Sequence, residues 1–224
     1  MLDRIAVLAD VRRGSVPSGT GYMEDLYKAG GSQRIFYELR DFLYLEAKSV
    51  NGTSLGEEIK NSAKWTQNII TNKSNPVFNA GSIAVLKGTL APNSAIIKQS
   101  AATESLLIHE GRAVVFEGIE DLAHRIDRDD LGDTTADVLV LKSIGPKGGP
   151  GMPEAGLIPI PKKLAKQGVK DMVRISDGRM SGTASGTIIL HVTPESYENG
   201  PLAIVENGDL IKLDVPKRKI DLII

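Results

Sequence analysis

The chain has 224 residues, 41% hydrophobic and 25% charged, an ordinary globular composition with enough mass for one domain and an appendage. Its 27 Lys and Arg balance 28 Asp and Glu, and neither sign is gathered into a block, so nothing points to a nucleic-acid or anionic-membrane surface. Cysteine is absent, which excludes disulfides, thiolate zinc sites and any iron–sulfur cluster ligated from within the chain.

The first segment, MLDRIAVLADVRRGS, is too short and too interrupted by charge for a signal peptide. No stretch approaches the roughly 18 apolar residues of a membrane span. A soluble, cytoplasmic protein without a membrane partner is therefore expected. In MEDLYKAGGSQRIFYELRDFLYLEAK, Leu26, Ile35, Leu39, Phe42 and Leu43 recur at helical spacing, and Gly30 and Gly31 must break the run into two helices. Ser54 followed by Glu57 in SLGEEIKNSAKW is a capping-box start for a further helix. TNKSNP then reads as a linker, so residues 1–74 form a helical segment ahead of a second domain, 75–224.

Beyond residue 75 come short runs rich in Val and Ile, separated by Gly, Pro and Asn: SIAVL, SAIIK, RAVVF, DVLVLK, MVRIS, TIILHV, PLAIV, LIKLD and KIDLII. These spacings predict strands. GIEDLAHRID and PKKLAKQG carry helical patterns, the second with Pro161 at its first turn. The fold class is α+β: a β-rich domain with a curled or barrel-like mixed sheet and peripheral helices.

Two loops carry most of the chemistry. GPKGGPGMPE (145–154) follows the apolar run DVLVLK; its glycines permit close backbone approach to a ligand and its prolines stiffen it. Glu154 is its only carboxylate, a hard oxygen ligand suited to magnesium or a proton-transfer group. SDGRMSGTASG (176–186) follows MVRIS and offers Ser176, Asp177, Arg179, Ser181, Thr183 and Ser185 among glycines, a turn able to present hydroxyls and N–H groups to an anion or a metal-bound oxygen. Ser181 or Thr183 could act as a base only beside a cation that stabilises an alkoxide. Composition alone leaves both loops evenly placed between self-satisfied turns and a site. His109, His124 and His191 lack metal-ligand spacing, and Trp65 with the scattered aromatics makes no base-stacking platform.

The order AVLKGTLAP, AIIK, GRAVVFEG, VLVLK, GPKGGPGMPE, MVRISDGRMSGTASGT, LHVTPE and GPLAIVENGDLIKLDVPKRKIDLII resembles the C-terminal half of the dihydroxy-acid and phosphogluconate dehydratase family. The resemblance runs continuously through the second domain, and SAAT at 100–103 with RMSGTASGT points to the branch acting on sugar acids such as arabinonate or xylonate. PSGTGYMEDLYKAGG is similar to the segment leading out of that family's N-terminal domain.

The resemblance implies a β-rich domain of the swivelling type and a hydro-lyase that converts a 2,3-dihydroxy acid to a 2-keto-3-deoxy acid. Magnesium would assist proton removal, and an iron–sulfur cluster, 2Fe-2S in type, the loss of hydroxide. Carried over by motif, Glu154 is a magnesium ligand, Ser181 the general base and Thr183 a neighbour that orients base or substrate, while Asp177 and Arg179 hold the loop in shape. The cluster ligands have no counterpart in a chain without cysteine. A cysteine-containing N-terminal domain or subunit is thus the implied partner, a small sugar acid the implied substrate, and an oligomer the implied assembly. The chain is then a fragment, a split subunit or a remnant. Two alternatives stand beside this reading: a non-catalytic binding or assembly subunit for a related catalytic chain, and a cluster-free, cation-assisted lyase.

Overall fold

Two glycines set the course of the helical segment. In the computed structural model, which describes residues 6–7, 21–62, 67–76, 78–129, 131, 134–182 and 184–224, helix α1 (Met23–Lys28) stops ahead of Gly30. Helix α2 (Gly31–Glu38) starts immediately after it. Gly30 and Gly31 have φ of 107° and 57°, a left-handed backbone that glycine adopts without steric cost. Helix α3 (Leu55–Ile59) begins at the expected capping box: the Ser54 hydroxyl accepts the Glu57 N–H at 3.3 Å, and the Glu57 carboxylate accepts the Ser54 N–H at 2.9 Å. Two short strands, β1 (Ala6–Val7) and β2 (Phe78–Gly81), pair antiparallel without having shown an alternating pattern in the sequence. These elements belong to the first of two compact units, Met1–Ser82 and Ile83–Ile224.

Among its described residues the second unit holds eight strands and two α-helices. In chain order they are β3 (Ala84–Leu86), β4 (Ser94–Ile97), β5 (Ile108–Phe116), α4 (Ile119–Arg125), β6 (Val138–Leu141), α5 (Lys162–Lys166), β7 (Val173–Ser176), β8 (Ile188–Thr193), β9 (Leu210–Asp214) and β10 (Lys219–Ile223). They form one mixed sheet in the order β10-β9-β5-β6-β7-β8-β4-β3. The centre, β5-β6-β7-β8, is parallel, and the flanking pairs are antiparallel. The sheet then curls until its edges meet. Lys87, just past β3, bridges Lys219 of β10, with the Lys87 N–H donating to the Arg218 carbonyl at 3.0 Å and the Ile220 N–H to the Lys87 carbonyl at 3.2 Å. The expected barrel-like mixed sheet with peripheral helices is the observed fold. Joining the two edges removes the unpaired strand edge that an open sheet would expose.

Side-chain direction alternates along each strand and sorts the apolar residues into two cores. Ala113, Val115, Val138, Val140, Val173 and Ile175 pack together in one cluster with β3, β4, β9 and β10. Their sequence neighbours Val114, Phe116, Leu139 and Leu141 point the other way and pack with Leu122 and Ile126 of the α4 segment and Leu164 of α5. VLVL is therefore unbroken in hydrophobicity because both its faces are covered, as in other helix-flanked parallel strands. In β10, KIDLI alternates because one face is wet.

One predicted strand is absent. PLAIV folds as a 3-10 turn over Pro201–Ile204. Pro201 cannot donate a ladder hydrogen bond, and Leu202 and Val205, three apart, are both buried while Ile204 is exposed, which is the period of a 3-10 helix and not of a strand. RAVVF is longer than expected: β5 runs from Ile108, pairing first with β9 and then with β6.

The closing seam is tightest at Gly88, where an added Cβ would overlap the Ile220 carbonyl. Gly88→Val should destabilise the chain by about 3 kcal/mol through forced separation of the edges, read as a fall in the urea midpoint at unchanged m-value.

Candidate functional site

Parallel pairing brings the two chemically suggestive loops together. β6 and β7 are in register with Leu141 opposite Ser176, so the chains leave the sheet side by side at Lys142 and Asp177. The carboxyl ends of parallel strands are where open α/β sheets place ligands. Asp177, 1% exposed, ties the exits together. Its carboxylate accepts the N–H groups of Ser143 (3.3 Å), Ile144 (3.0 Å) and Ser196 (2.9 Å), and the Ser196 hydroxyl at 2.5 Å. Glu195, also buried, accepts the N–H groups of Lys147 at 2.9 Å and Gly148 at 3.2 Å. The glycine-rich loop is thus held from below by two carboxylates whose charge is met by backbone donors.

Arg179 joins the upper parts of the loops. Its Nε donates to the Met152 carbonyl at 2.7 Å and its Nη1 to Glu154 Oε1 at 2.5 Å, while its own carbonyl accepts the Gly156 N–H at 2.8 Å. Glu154 is half-exposed, with 49% of its side-chain surface accessible. Ser181 lies two residues beyond Arg179, and its carbonyl accepts the Ala184 N–H at 3.0 Å in a turn. Thr183 falls outside the described residues. Lys98, just after β4, donates from Nζ to the Gly182 carbonyl at 3.1 Å, which puts an ammonium against the residue after Ser181. His191 has φ of 52° within β8, and its N–H donates to the Gly178 carbonyl at 3.1 Å. Burial, and then the nearby charge of Arg179, push the imidazole below its usual pKa.

The far end of the second loop is pinned by a buried ion pair. Arg174 of β7 donates to Asp171 Oδ1 at 2.7 Å and to the Ile158 carbonyl at 2.9 Å. Asp171 also accepts the Thr103 hydroxyl at 2.7 Å, the Thr187 hydroxyl at 2.8 Å and the Thr187 N–H at 2.9 Å. The Gly186 N–H donates to the Ala101 carbonyl at 2.8 Å. SAAT, singled out in the sequence, is therefore a strut that receives the end of this loop. Burial raises the Asp171 pKa, but the hydrogen bonds from Thr103 and Thr187 and the charge of Arg174 outweigh it and hold the carboxyl below its ordinary value.

Asp177 and Arg179 shape the loops. Lys98, Asp171, Glu195 and Ser196 were not singled out in the sequence. AIIK reads as an ordinary strand end, and Glu195 carries no signal until the fold sets it under Lys147. Among the described residues no group of three or more His, Asp or Glu is placed to hold a metal ion. Glu154 has a half-exposed carboxylate, a hard oxygen donor of the kind divalent cations take.

A family profile described as "Dihydroxy-acid/6-phosphogluconate dehydratase C-terminal" matches residues 68–224. A dehydratase of Rhizobium meliloti (strain 1021) is 49% identical over 93% of this chain and 36% of its own length. The L-arabinonate dehydratase of Rhizobium leguminosarum bv. trifolii (strain WSM2304) is 45% identical over 92% of this chain and 36% of its own length. The 6-deoxy-6-sulfo-D-gluconate dehydratase of Pseudomonas putida is 42% identical over 96% of this chain and 38% of its own length. The chain thus spans little more than a third of the length of the curated relatives it matches.

The ion pair at the loop's far end has a pH signature. A depressed carboxyl pKa contributes stability that is present above the unfolded value, about 3.9, and is lost as pH falls through the folded value. Asp171→Asn should cost about 3 kcal/mol at pH 7, because it strands the buried Arg174 charge, and the gap to the native chain should narrow below about pH 4 in urea unfolding.

Proposed function

The chain belongs to the dihydroxy-acid/6-phosphogluconate dehydratase family, and on that premise we propose that it contributes the C-terminal part of a hydro-lyase site acting on a 2,3-dihydroxy sugar acid. The product is the 2-keto-3-deoxy acid. The observation that carries this reading is the Arg179–Glu154 ion pair, which joins the two loops and stands two residues from Ser181.

Each side chain has a task in that reaction. Glu154 offers a carboxylate oxygen to magnesium, and Arg179 fixes its orientation by holding Oε1. Ser181 takes the proton beside the substrate carboxylate. A serine hydroxyl is a poor base in water, and an adjacent cation lowers the cost of the alkoxide. The Lys98 ammonium donates to the Gly182 carbonyl, one residue along the chain from Ser181, and would serve as such a cation. Thr183 orients the base or the substrate. When bound, magnesium supplies charge stabilisation at the substrate carboxylate, and a 2Fe-2S cluster Lewis acidity toward the departing hydroxyl. The cluster's thiolates would come from an N-terminal dehydratase half, because this sequence has no cysteine. Tyr22, Met23, Tyr27, Phe42, Tyr44 and Val50 are exposed in the first unit, side chains that such a partner half would cover.

The test is reconstitution. With a cysteine-bearing N-terminal half, magnesium and anaerobic handling, the complex should dehydrate arabinonate or xylonate, and the isolated chain should not. Ser181→Ala should remove turnover at near-native stability. Lys98→Met should lower kcat by about 10- to 100-fold, or about 1.4 to 2.7 kcal/mol, with KM little changed. Retained turnover in Ser181→Ala would sink the base assignment. Keto-acid production by the chain alone would instead favour a cluster-free lyase.

A further inference from the structure

Strict alternation along β8 would send His191 into the barrel. Ile189 and Val192, three apart, both lie in the inner apolar cluster, where a regular strand would group Ile189 with His191. A bulge makes the exchange. Ser94 of β4 faces Thr193 and Ile96 faces Leu190, so Ala95 alone stands against both His191 and Val192. His191 takes φ of 52°, a conformation that such bulges usually give to glycine, and Val192 is buried in its stead. Strain of this kind gathers where side chains act on ligands.

The re-aimed ring lines a cavity of about 390 Å³ beside the glycine-rich loop, at the loop-bearing end of the barrel. The volume is ordinary for a small-molecule site. The His191 N–H is tied to the Gly178 carbonyl, next to Arg179, so the ring is referred to the loop that carries Ser181. Among the described residues neither ring nitrogen has a hydrogen-bond partner, and the same holds for the side-chain amide of Asn93, which also lines the cavity. The ionised groups around them are already engaged. Asp177 and Glu195 accept the N–H groups of Ile144 and Lys147, and the Lys147 ammonium pairs with Glu198 at 2.7 Å. What stays open is an amide and an imidazole, both able to donate and accept, the ring in the uncharged form that burial and then the Arg179 charge favour. Pro146, Val192 and Pro194 add apolar wall.

We propose that this cavity is the subsite for the hydroxyl-bearing tail of the substrate, with His191 and Asn93 as its specificity-determining residues. That the tail belongs to a sugar acid rests on the hydro-lyase reading above; that the cavity takes hydroxyl groups does not. A hydroxyl donates and accepts at once, as the imidazole and the amide do, and the apolar walls suit the C–H faces between hydroxyls. A site built to bond a hydroxyl disfavours an analogue without it, because the protein groups are then left unpaired. A 2,3-dihydroxy acid with an alkyl tail therefore loses to one with a polyhydroxylated tail.

Two measurements test this. The full chain is titrated with the neutral polyol arabitol while the imidazole proton NMR signals are followed, His191→Gly identifying the signal of His191. Saturable movement of that signal is expected, with His109 and His124 unmoved and binding about fivefold weaker in Asn93→Ala. An unmoved His191 signal, or equal movement of all three, would overturn the subsite. In the reconstituted complex, kcat/KM for arabinonate is compared with that for an alkyl-tailed 2,3-dihydroxy acid. His191→Gly and Asn93→Ala should each cut the preference for arabinonate by about fivefold, and together by about 25-fold, mainly through KM. His191→Asn keeps a donor and an acceptor and tolerates the same backbone, so it should restore most of the preference. The thermal midpoint of His191→Gly should stay near the native value, since glycine adopts the positive φ freely. An unchanged preference in His191→Gly would overturn the assignment. No turnover of either acid, with arabitol still moving the His191 signal, would overturn the hydro-lyase reading and support the hydroxyl site.

Discussion

The arrangement at the carboxyl end of the barrel depends on one buried anion. Asp177 lies where β7 leaves the sheet, and its two oxygens hold the exit of β6 and the start of the 3-10 turn at Ser196. No cation is needed there, because backbone N–H groups carry the compensating positive dipoles. The register of β6 against β7 makes this possible by aligning Leu141 with Ser176. A one-residue slip would turn Asp177 to the other face and part the loops, as well as exchanging the two apolar clusters.

The barrel divides its labour by strand direction. Its antiparallel flanks, β3-β4 and β9-β10, close the sheet through Lys87 and the Gly88 approach to Ile220. Its parallel centre places successive strand ends on one side, where loops without regular structure can approach one another. Such loops need outside anchors, since their backbone groups have no ladder to join. Asp177 and Glu195 anchor the first, and Asp177, Arg179 and the Asp171–Arg174 pair anchor the second. Between those fixed points, the Ser181 carbonyl accepts the Ala184 N–H and Lys98 donates to the Gly182 carbonyl, so this turn too is anchored from outside the ladder.

Much of the fold was written in local pattern. The β-branched runs became strands, the Ser54–Glu57 box opened a helix, and the Gly30–Gly31 pair separated two others. PLAIV misled because its apolar composition suits a strand, whereas Pro201 and the three-residue interval from Leu202 to Val205 suit a tight turn. The candidates Glu154 and Ser181 stand in loops that announce themselves through glycine, proline and hydroxyl content. Lys98, Asp171 and Glu195 stayed hidden because their meaning is non-local. Thr103 lies 68 residues from Asp171, Gly182 lies 84 from Lys98, and Lys147 lies 48 from Glu195. No periodicity reports a hydrogen bond over such intervals.

The Arg179–Glu154 pair also bears on how a divalent ion would be held. A carboxylate has lone pairs for about four contacts, and a guanidinium bonded to one oxygen leaves the other oxygen as a ligand. An exposed ion pair of this kind adds little stability, of the order of 1 kcal/mol at most. Its value lies in geometry, since it sets the direction of the remaining oxygen before any cation arrives. The same Arg179 side chain donates to the Met152 carbonyl, so the orientation of Glu154 is referred to the backbone of its own loop. A ligand fixed in this way would cost less ordering if, as proposed, a second protein half brought the other donors.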